Sequence, residues 1–252
     1  MSDPSSRDHY SYRYYADPNT AATFDDRRFG GPIGGMVAAA QAKVLSNFVG
    51  RIQGRTILDV GTGTGRAALL FARGGARVTG VDASDEMLAV ARQRAAADSV
   101  AATFAVGDAH ALTFADRSFD VAISLRVLMH SPDWRRCIAE LCRVADQLVI
   151  LDYPSAQSAA AVQSVGRRML AAVGGSAEPY RVLSDRDVAL ALTRCGFQVR
   201  SVHRQFVLPI AVHKAIGSRR FTTRVEHWLE RAGLLSRFGS PVTLVADRCL
   251  TS

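Results

Sequence analysis

No segment of this chain stays apolar for the roughly 18 residues that a membrane-crossing helix requires. A bilayer span is therefore not expected. The first fifteen residues, MSDPSSRDHYSYRYY, are polar and lack the apolar stretch of a secretory leader. A cytoplasmic location is the expectation. Cysteine is scarce and never closely paired: Cys137, Cys142, Cys195 and Cys249 include no C-x-x-C. Three of them fall in apolar periodic segments, which points to buried thiols rather than disulfides or metal ligands. No H-E-x-x-H or similar ligand cluster occurs, so no metal is expected. Lysine is nearly missing: of 31 basic residues only Lys43 and Lys214 are lysines. In a chain this rich in alanine, arginine for lysine is what a GC-rich genome produces. The basic composition is thus a weak argument for nucleic acid. Its placement is more informative. Residues 1–152 hold 17 basic and 17 acidic residues, and residues 153–252 hold the other 14 and 6. The whole excess of +8 lies in the last hundred residues. A solvated surface, an anionic substrate, a membrane surface or RNA would each accommodate it.

What the chain does have is concentrated in residues 56–65, TILDVGTGTG. A short apolar run (Ile57, Leu58, Val60) carries one acid, Asp59, and breaks into Gly61, Gly63 and Gly65. A helical pattern follows at once. This is strand, tight turn, helix. Glycines let the backbone approach a ligand where side chains would block it. The helix N-terminus behind them offers unpaired N–H groups. A dinucleotide fingerprint, G-x-G-x-x-G, would need glycine at 66, and Arg66 stands there. The turn suits a nucleoside-bearing ligand other than a nicotinamide dinucleotide.

Around it, strand and helix patterns alternate five times between residues 56 and 153. That predicts a parallel sheet covered on both faces. Residues 1–30 form a polar, aromatic arm, either loose or a lid, and residues 32–49 read as a helix stopped by Gly50. Ser131-Pro132-Asp133 reads as a helix start with proline at the first helical position. Residues 155–173 and 184–194 read as helices, the second with a capping box from Ser184 to Asp187. Two closing strands, 197–207 and 241–248, flank a basic amphipathic stretch at 210–238. A single domain over 1–252 is expected: arm and helix 1–50, cofactor core 51–154, and a C-terminal part 155–252 with an insert near 208–240.

In open α/β sheets ligands bind beyond the carboxyl ends of the strands. Asp59, Asp82 and Asp108 fall at such ends. Asp82 lies about 20 residues past Gly61, the distance at which a carboxylate reaches the hydroxyls of a ribose over the turn. Asp108 is placed to accept from a purine amine. Asp59 can orient the turn or hold a cationic ligand end.

The segments ILDVGTGTG, VTGVDAS, VGDAHALTFADRSFDVAIS and VLMH, in this order, resemble class I S-adenosylmethionine-dependent methyltransferases, notably the group with ubiquinone- and menaquinone-pathway enzymes. The resemblance covers about a hundred residues. It implies an α/β, doubly wound, mostly parallel seven-stranded sheet of Rossmann-like type whose last strand is antiparallel. It implies S-adenosyl-L-methionine as cofactor. Gly61, Thr62, Gly63 and Gly65 would wrap its methionine portion, with Leu125 and Arg126 beside it. Asp82 and the adjoining Ala83 would hold the ribose, and Asp108 and Ala109 would border the adenine.

A methyl sulfonium needs alignment more than activation, but an oxygen acceptor must lose a proton to a base. His130, just past the fourth strand, is the candidate, against a packing or capping role. His213 and His227 are further candidates, whereas His9, His110 and His203 read as surface or loop residues. The arm, the 155–173 helix and the 210–238 insert would supply acceptor specificity. For the insert a lid over a small hydrophobic molecule is the first reading; core packing and a membrane-surface helix are the others. The partner is expected to be a small molecule rather than nucleic acid. An RNA methyltransferase remains a rival, but the chain has no appended RNA-binding module. It also has Ser124-Leu125-Arg126-Val127 where adenine amino-methylases carry N/D-P-P-Y/F. A cofactor-binding protein without transfer activity would show the same motifs. The acceptor and the oligomeric state are not legible.

Overall fold

A computed structural model describes residues 17–158 and 180–249. In chain order the elements are α1 (Pro18–Phe29), α2 (Gly31–Val49), β1 (Thr56–Val60), α3 (Arg66–Arg73), β2 (Arg77–Asp82), α4 (Asp85–Ala97), β3 (Thr103–Val106) and β4 (Phe119–Ser124). Then come α5 (Trp134–Val144), β5 (Ala145–Tyr153), α6 (Asp185–Arg194), β6 (Phe197–Phe206), α7 (Ile210–Ile216), α8 (Arg219–Arg231), α9 (Leu234–Phe238) and β7 (Ser240–Arg248).

The strands form one seven-stranded sheet in the order β3-β2-β1-β4-β5-β7-β6. The first five are mutually parallel. Strand β7 runs antiparallel to both β5 and β6. The apolar runs explain why the central strands are buried on both faces. Along β1, Leu58 packs into one cluster with Ala122, Val149 and Leu151, while Ile57 packs into the other with Val121, Ile123 and Ile150. Alternate residues of one strand thus feed opposite faces. Helix α5 covers the first face through Cys137, Ile138 and Leu141. Helices α2 and α3 cover the second through Leu45 and Phe71. Each such fully buried side chain contributes about 1.5–3 kcal/mol relative to exposure.

Several boundaries differ from the sequence reading. The second half of the arm, residues 18–29, is a helix, capped by Asp17 Oδ2 accepting from Thr20 N–H at 2.9 Å. Helix α5 begins at Trp134, because the Asp133 carboxylate accepts from Arg136 N–H at 3.2 Å and acts as the cap. Pro132 therefore precedes the helix rather than opening it. The Ser184 hydroxyl makes no capping bond to α6, so the expected capping box does not form. In that first turn Asp185 instead pairs with Arg204 on β6. The helix expected at 155–173 falls largely outside the described residues. The basic stretch between β6 and β7 consists of α7, α8 and α9. Among the described residues no helix is long and apolar enough to cross a membrane.

Candidate functional site

Strand β1 has β2 on one side and β4 on the other, so the sheet order reverses there. A crevice opens at the carboxyl ends of these strands, as that topology requires. The glycine turn forms its floor. Gly61 sits at φ +70°, and a Cβ on it would lie 2.0 Å from Val127 Cγ2. Only glycine lets this backbone run beneath the β4 loop. The N–H groups of Gly61 and Thr62 donate to Val81 C=O at 2.7 and 3.0 Å, which fixes the turn to β2. Gly65, in the left-handed region, is the residue from which α3 starts.

Asp59 lies under this turn, 1% exposed. Its Oδ2 accepts from Thr62 Oγ1 at 2.7 Å and from Ala68 N–H at 3.1 Å. The side chain therefore orients turn and helix, the first of its two sequence readings. Burial pushes its carboxyl up from 3.8 to about 6. Because the folded value lies above the unfolded one, this group's contribution to stability is whole below pH 3.8 and is lost as pH rises through about 6. Asp59→Asn keeps an acceptor for both bonds and removes this titration. The expected result is a melting temperature that gains on wild type between pH 4.5 and pH 8. A constant difference in thermal melts across that range would contradict it.

Asp82 ends β2 at the cleft. Its Oδ2 accepts from Gly63 N–H at 2.8 Å and its Oδ1 from Ser84 N–H at 3.0 Å. With Ala83 N–H also facing it, the carboxylate still keeps acceptor capacity for a ligand hydroxyl. Burial raises its pKa, so a ligand that donates to the ionised form would offset that cost. The cleft encloses about 860 Å³ including its open mouth, and Ala83 lines it beside Asp82. Val81, Met87, Ala109 and Leu125 give it apolar walls suited to the faces of a flat ring.

Asp108 does not line this cleft; its neighbours Gly107, Ala109 and His110 do. Its Oδ1 accepts from His110 N–H at 2.9 Å and meets His110 Nδ1 at 2.7 Å. His110 Nε2 in turn lies 2.8 Å from Ser131 Oγ. His110, read from sequence as a surface or loop residue, is in a loop but buried, 8% exposed, and ties the β3 loop to the β4 loop. The hydrogen bond its Nδ1–H donates to the Asp108 carboxylate is the largest cause that pushes its pKa up to about 10. The Asp-x-His spacing, able to form an Asx turn, was the local signal for it.

The arm helix closes one side. Phe24 lines the cleft, Asp25 accepts from Thr64 Oγ1 at 3.0 Å and pairs with Arg94, and the Arg66 guanidinium stacks 3.4 Å from the Phe29 ring centroid. Arg126 has φ +64°, and its N–H donates to the Asp152 carboxylate, which is 2% exposed. Burial raises the Asp152 pKa.

His130 is 8% exposed, with its N–H donating to Val127 C=O at 2.9 Å. It and Arg126 line both the cleft and a second chamber on the far side of the β4 loop. That chamber is walled by Met129, Tyr153, Phe206, Leu208 and Ile210. His213 does not reach it. Its ring is fully buried, with Nε2 2.8 Å from Glu226 Oε1 and Nδ1 3.1 Å from Thr222 Oγ1. Both nitrogens are engaged inside the insert, which removes His213 as a base. His227 is largely exposed and 3.8 Å from Glu230, away from both cavities.

Fold and site together define an open α/β sheet with a ligand cleft at its switch point and a second cavity beside it. Residues 58–150 match the methyltransferase domain family. Demethylmenaquinone methyltransferase from Tropheryma whipplei is 28% identical over 192 residues, covering 69% of this chain and 79% of that protein. The 2-methyl-6-phytyl-1,4-hydroquinone methyltransferase of Synechocystis is 36% identical over 150 residues, 58% of this chain and 45% of that one. The magnesium protoporphyrin IX methyltransferase of Synechocystis, solved with bound S-adenosylhomocysteine, shares the fold. Its TM-score is 0.66 at 20% identity, over 95% of this chain and 98% of that one. Over residues 58–150 the chain is thus similar to a methyltransferase domain, and its fold is that of the solved methyltransferase.

Proposed function

We propose that this enzyme transfers a methyl group from S-adenosylmethionine to a small hydrophobic molecule held in the second chamber. The observation that carries this reading is the wall common to the two cavities: His130 and Arg126 line both. A donor in one and an acceptor in the other would meet there. The residues present fit the cofactor. The Gly61 backbone passes where a Cβ has no room, the Asp82 carboxylate keeps acceptor capacity, and the cleft walls are apolar. When bound, the cofactor supplies an electrophilic methyl on a sulfonium.

Every other function falls to the chain. Asp82, with Ala83 beside it, holds the ribose hydroxyls. The turn from Gly61 to Gly65, kept in shape by Asp59 and Thr62, cradles the amino-acid portion, and Leu125 and Arg126 flank it. Ala109 borders the base, and Asp108 positions His110 rather than touching the ligand itself. His130 takes the proton of an acceptor hydroxyl. Helix α1 and the loop entering α7 exclude water, so alignment supplies most of the rate. The quinone-type acceptors in the two relatives' names accord with the aromatic and aliphatic walls of the chamber.

The test is a cofactor-consumption screen over phenols, quinones, sugars and carboxylic acids, followed by mass analysis. The expected result is S-adenosylhomocysteine formed together with a singly methylated product. Turnover should persist after nuclease treatment, unlike a reaction on RNA, and lack the steep salt dependence of binding to many phosphates. Cofactor binding without consumption across the screen would favour a non-catalytic role.

A further inference from the structure

The second chamber is apolar in its body but cationic at one end. Arg27 and Arg28, at the C-terminal end of α1, line it together with Lys214 of α7 and Arg126 of the β4 loop. Among the described lining residues the single acid is Asp152, which is buried, accepts the Arg126 N–H and faces the charges of Arg126 and Arg28, one carboxylate against four cations. Lys214 is held firmly in place. Its Nζ donates to the carbonyls of Arg27 and Arg28 at 3.0 and 2.8 Å, at the negative end of the α1 dipole. This anchoring uses carbonyl acceptors, and among the described residues no carboxylate pairs with the ammonium.

The cations are close enough to disfavour one another. The Lys214 pKa is lowered, first by burial and then by Arg28 and Arg126. Like charges gathered around an apolar cavity cost free energy in the empty protein. An anion seated among them would offset it. Arg28 and Lys214 line only this chamber, whereas Arg126 and His130 also line the cofactor cleft. Two cations, Arg28 and Lys214, thus belong to the chamber and not to the cleft, while Arg126 stands on the wall between them.

We propose that the methyl acceptor is an organic anion, an apolar body with an acidic group that Arg28 and Lys214 hold in the chamber. This rests on the methyl-transfer reading above and narrows its substrate class. The body lies against Met129, Phe206 and Ile210, and the atom to be methylated points towards His130. Part of the basic excess of the C-terminal hundred residues, Lys214, then serves recognition rather than solubility.

A matched pair of fluorescent probes tests it: 1-anilinonaphthalene-8-sulfonate, which is anionic, and N-phenyl-1-naphthylamine, its neutral counterpart. Both are titrated into full-length protein saturated with S-adenosylhomocysteine. The sulfonate should bind saturably and at least about tenfold tighter than the neutral amine. Lys214→Gln and Arg28→Gln should each weaken the sulfonate about fivefold or more and leave the amine within about twofold. Lys214→Arg, which keeps the charge, should restore the sulfonate. The inference is overturned if the sulfonate does not bind, binds no tighter than the amine, or is weakened in the variants only as much as the amine. Calorimetry with S-adenosylhomocysteine separates the two levels. Wild type that takes up no S-adenosylhomocysteine sinks the methyl-transfer reading itself; normal uptake with indifference to probe charge sinks only the anionic acceptor.

Discussion

Asp82→Ala should weaken S-adenosylhomocysteine binding by about 100-fold or more, measured by calorimetry, with the fold intact. Hydrogen bonds to a charged carboxylate contribute about 1.5–3 kcal/mol each. Two ribose hydroxyls on this side chain, as proposed, would account for about two decades of affinity or more, at about 1.4 kcal/mol per decade. The protein has little reason to unfold. The two N–H groups that Asp82 accepts, those of Gly63 and Ser84, border an open cleft where water can replace it. Deleting a carboxyl whose pKa burial has raised also removes a desolvation cost at neutral pH. Asp82→Asn sharpens the test. It retains one acceptor oxygen and should fall between wild type and alanine. The raised pKa adds a pH signature: the ionised form is the better acceptor, so wild-type affinity should decline as pH falls through the Asp82 titration, and the asparagine variant should lack that decline. Unchanged affinity in Asp82→Ala would refute the ribose assignment.

Local chemistry made the centre of the fold legible. The run Ile57-Leu58-Asp59-Val60 followed by three glycines specifies a buried strand and a turn with little side-chain bulk, and both are where the sequence placed them. The alternation up to Tyr153 marks a parallel sheet, because strands buried on both faces need helices between them. What escaped the sequence depends on pairings far apart in the chain. Thr64 meets Asp25 across 39 residues, and Lys214 meets Arg28 across 186. Periodicity carries no information about such partners. The arm could thus be read as aromatic and basic, but not as a helix over the glycine turn. His213 failed for the same reason: nothing local says that Glu226 and Thr222 close around its ring. His110 is different, since the Asp-x-His spacing held a local cue. Its tie to Ser131 was long-range, and that tie places it on the cleft wall.

His130→Ala should lower kcat by about 10²–10⁴, the range that a positioned general base supplies, on an acceptor whose methylated atom is a hydroxyl oxygen. S-adenosylhomocysteine affinity should stay within about threefold of wild type. The argument is positional. His130 follows β4 directly, its backbone is held to Val127, and its side chain borders both cavities. No other histidine among the described residues has that placement. His213 is sealed, His227 lies outside both cavities, and His110 lines the cleft alone and is engaged by Asp108 and Ser131. A merely structural histidine would give a different pattern. Its loss would weaken cofactor binding and lower the melting temperature along with the rate, since the β4 loop carries residues of both cavities. A base instead leaves a kinetic mark. The wild-type kcat/KM profile should rise to a plateau once the base is neutral; the variant should lose that plateau, its residual turnover climbing with hydroxide concentration throughout. Wild-type kcat in His130→Ala would remove it as the base and leave alignment alone to account for transfer.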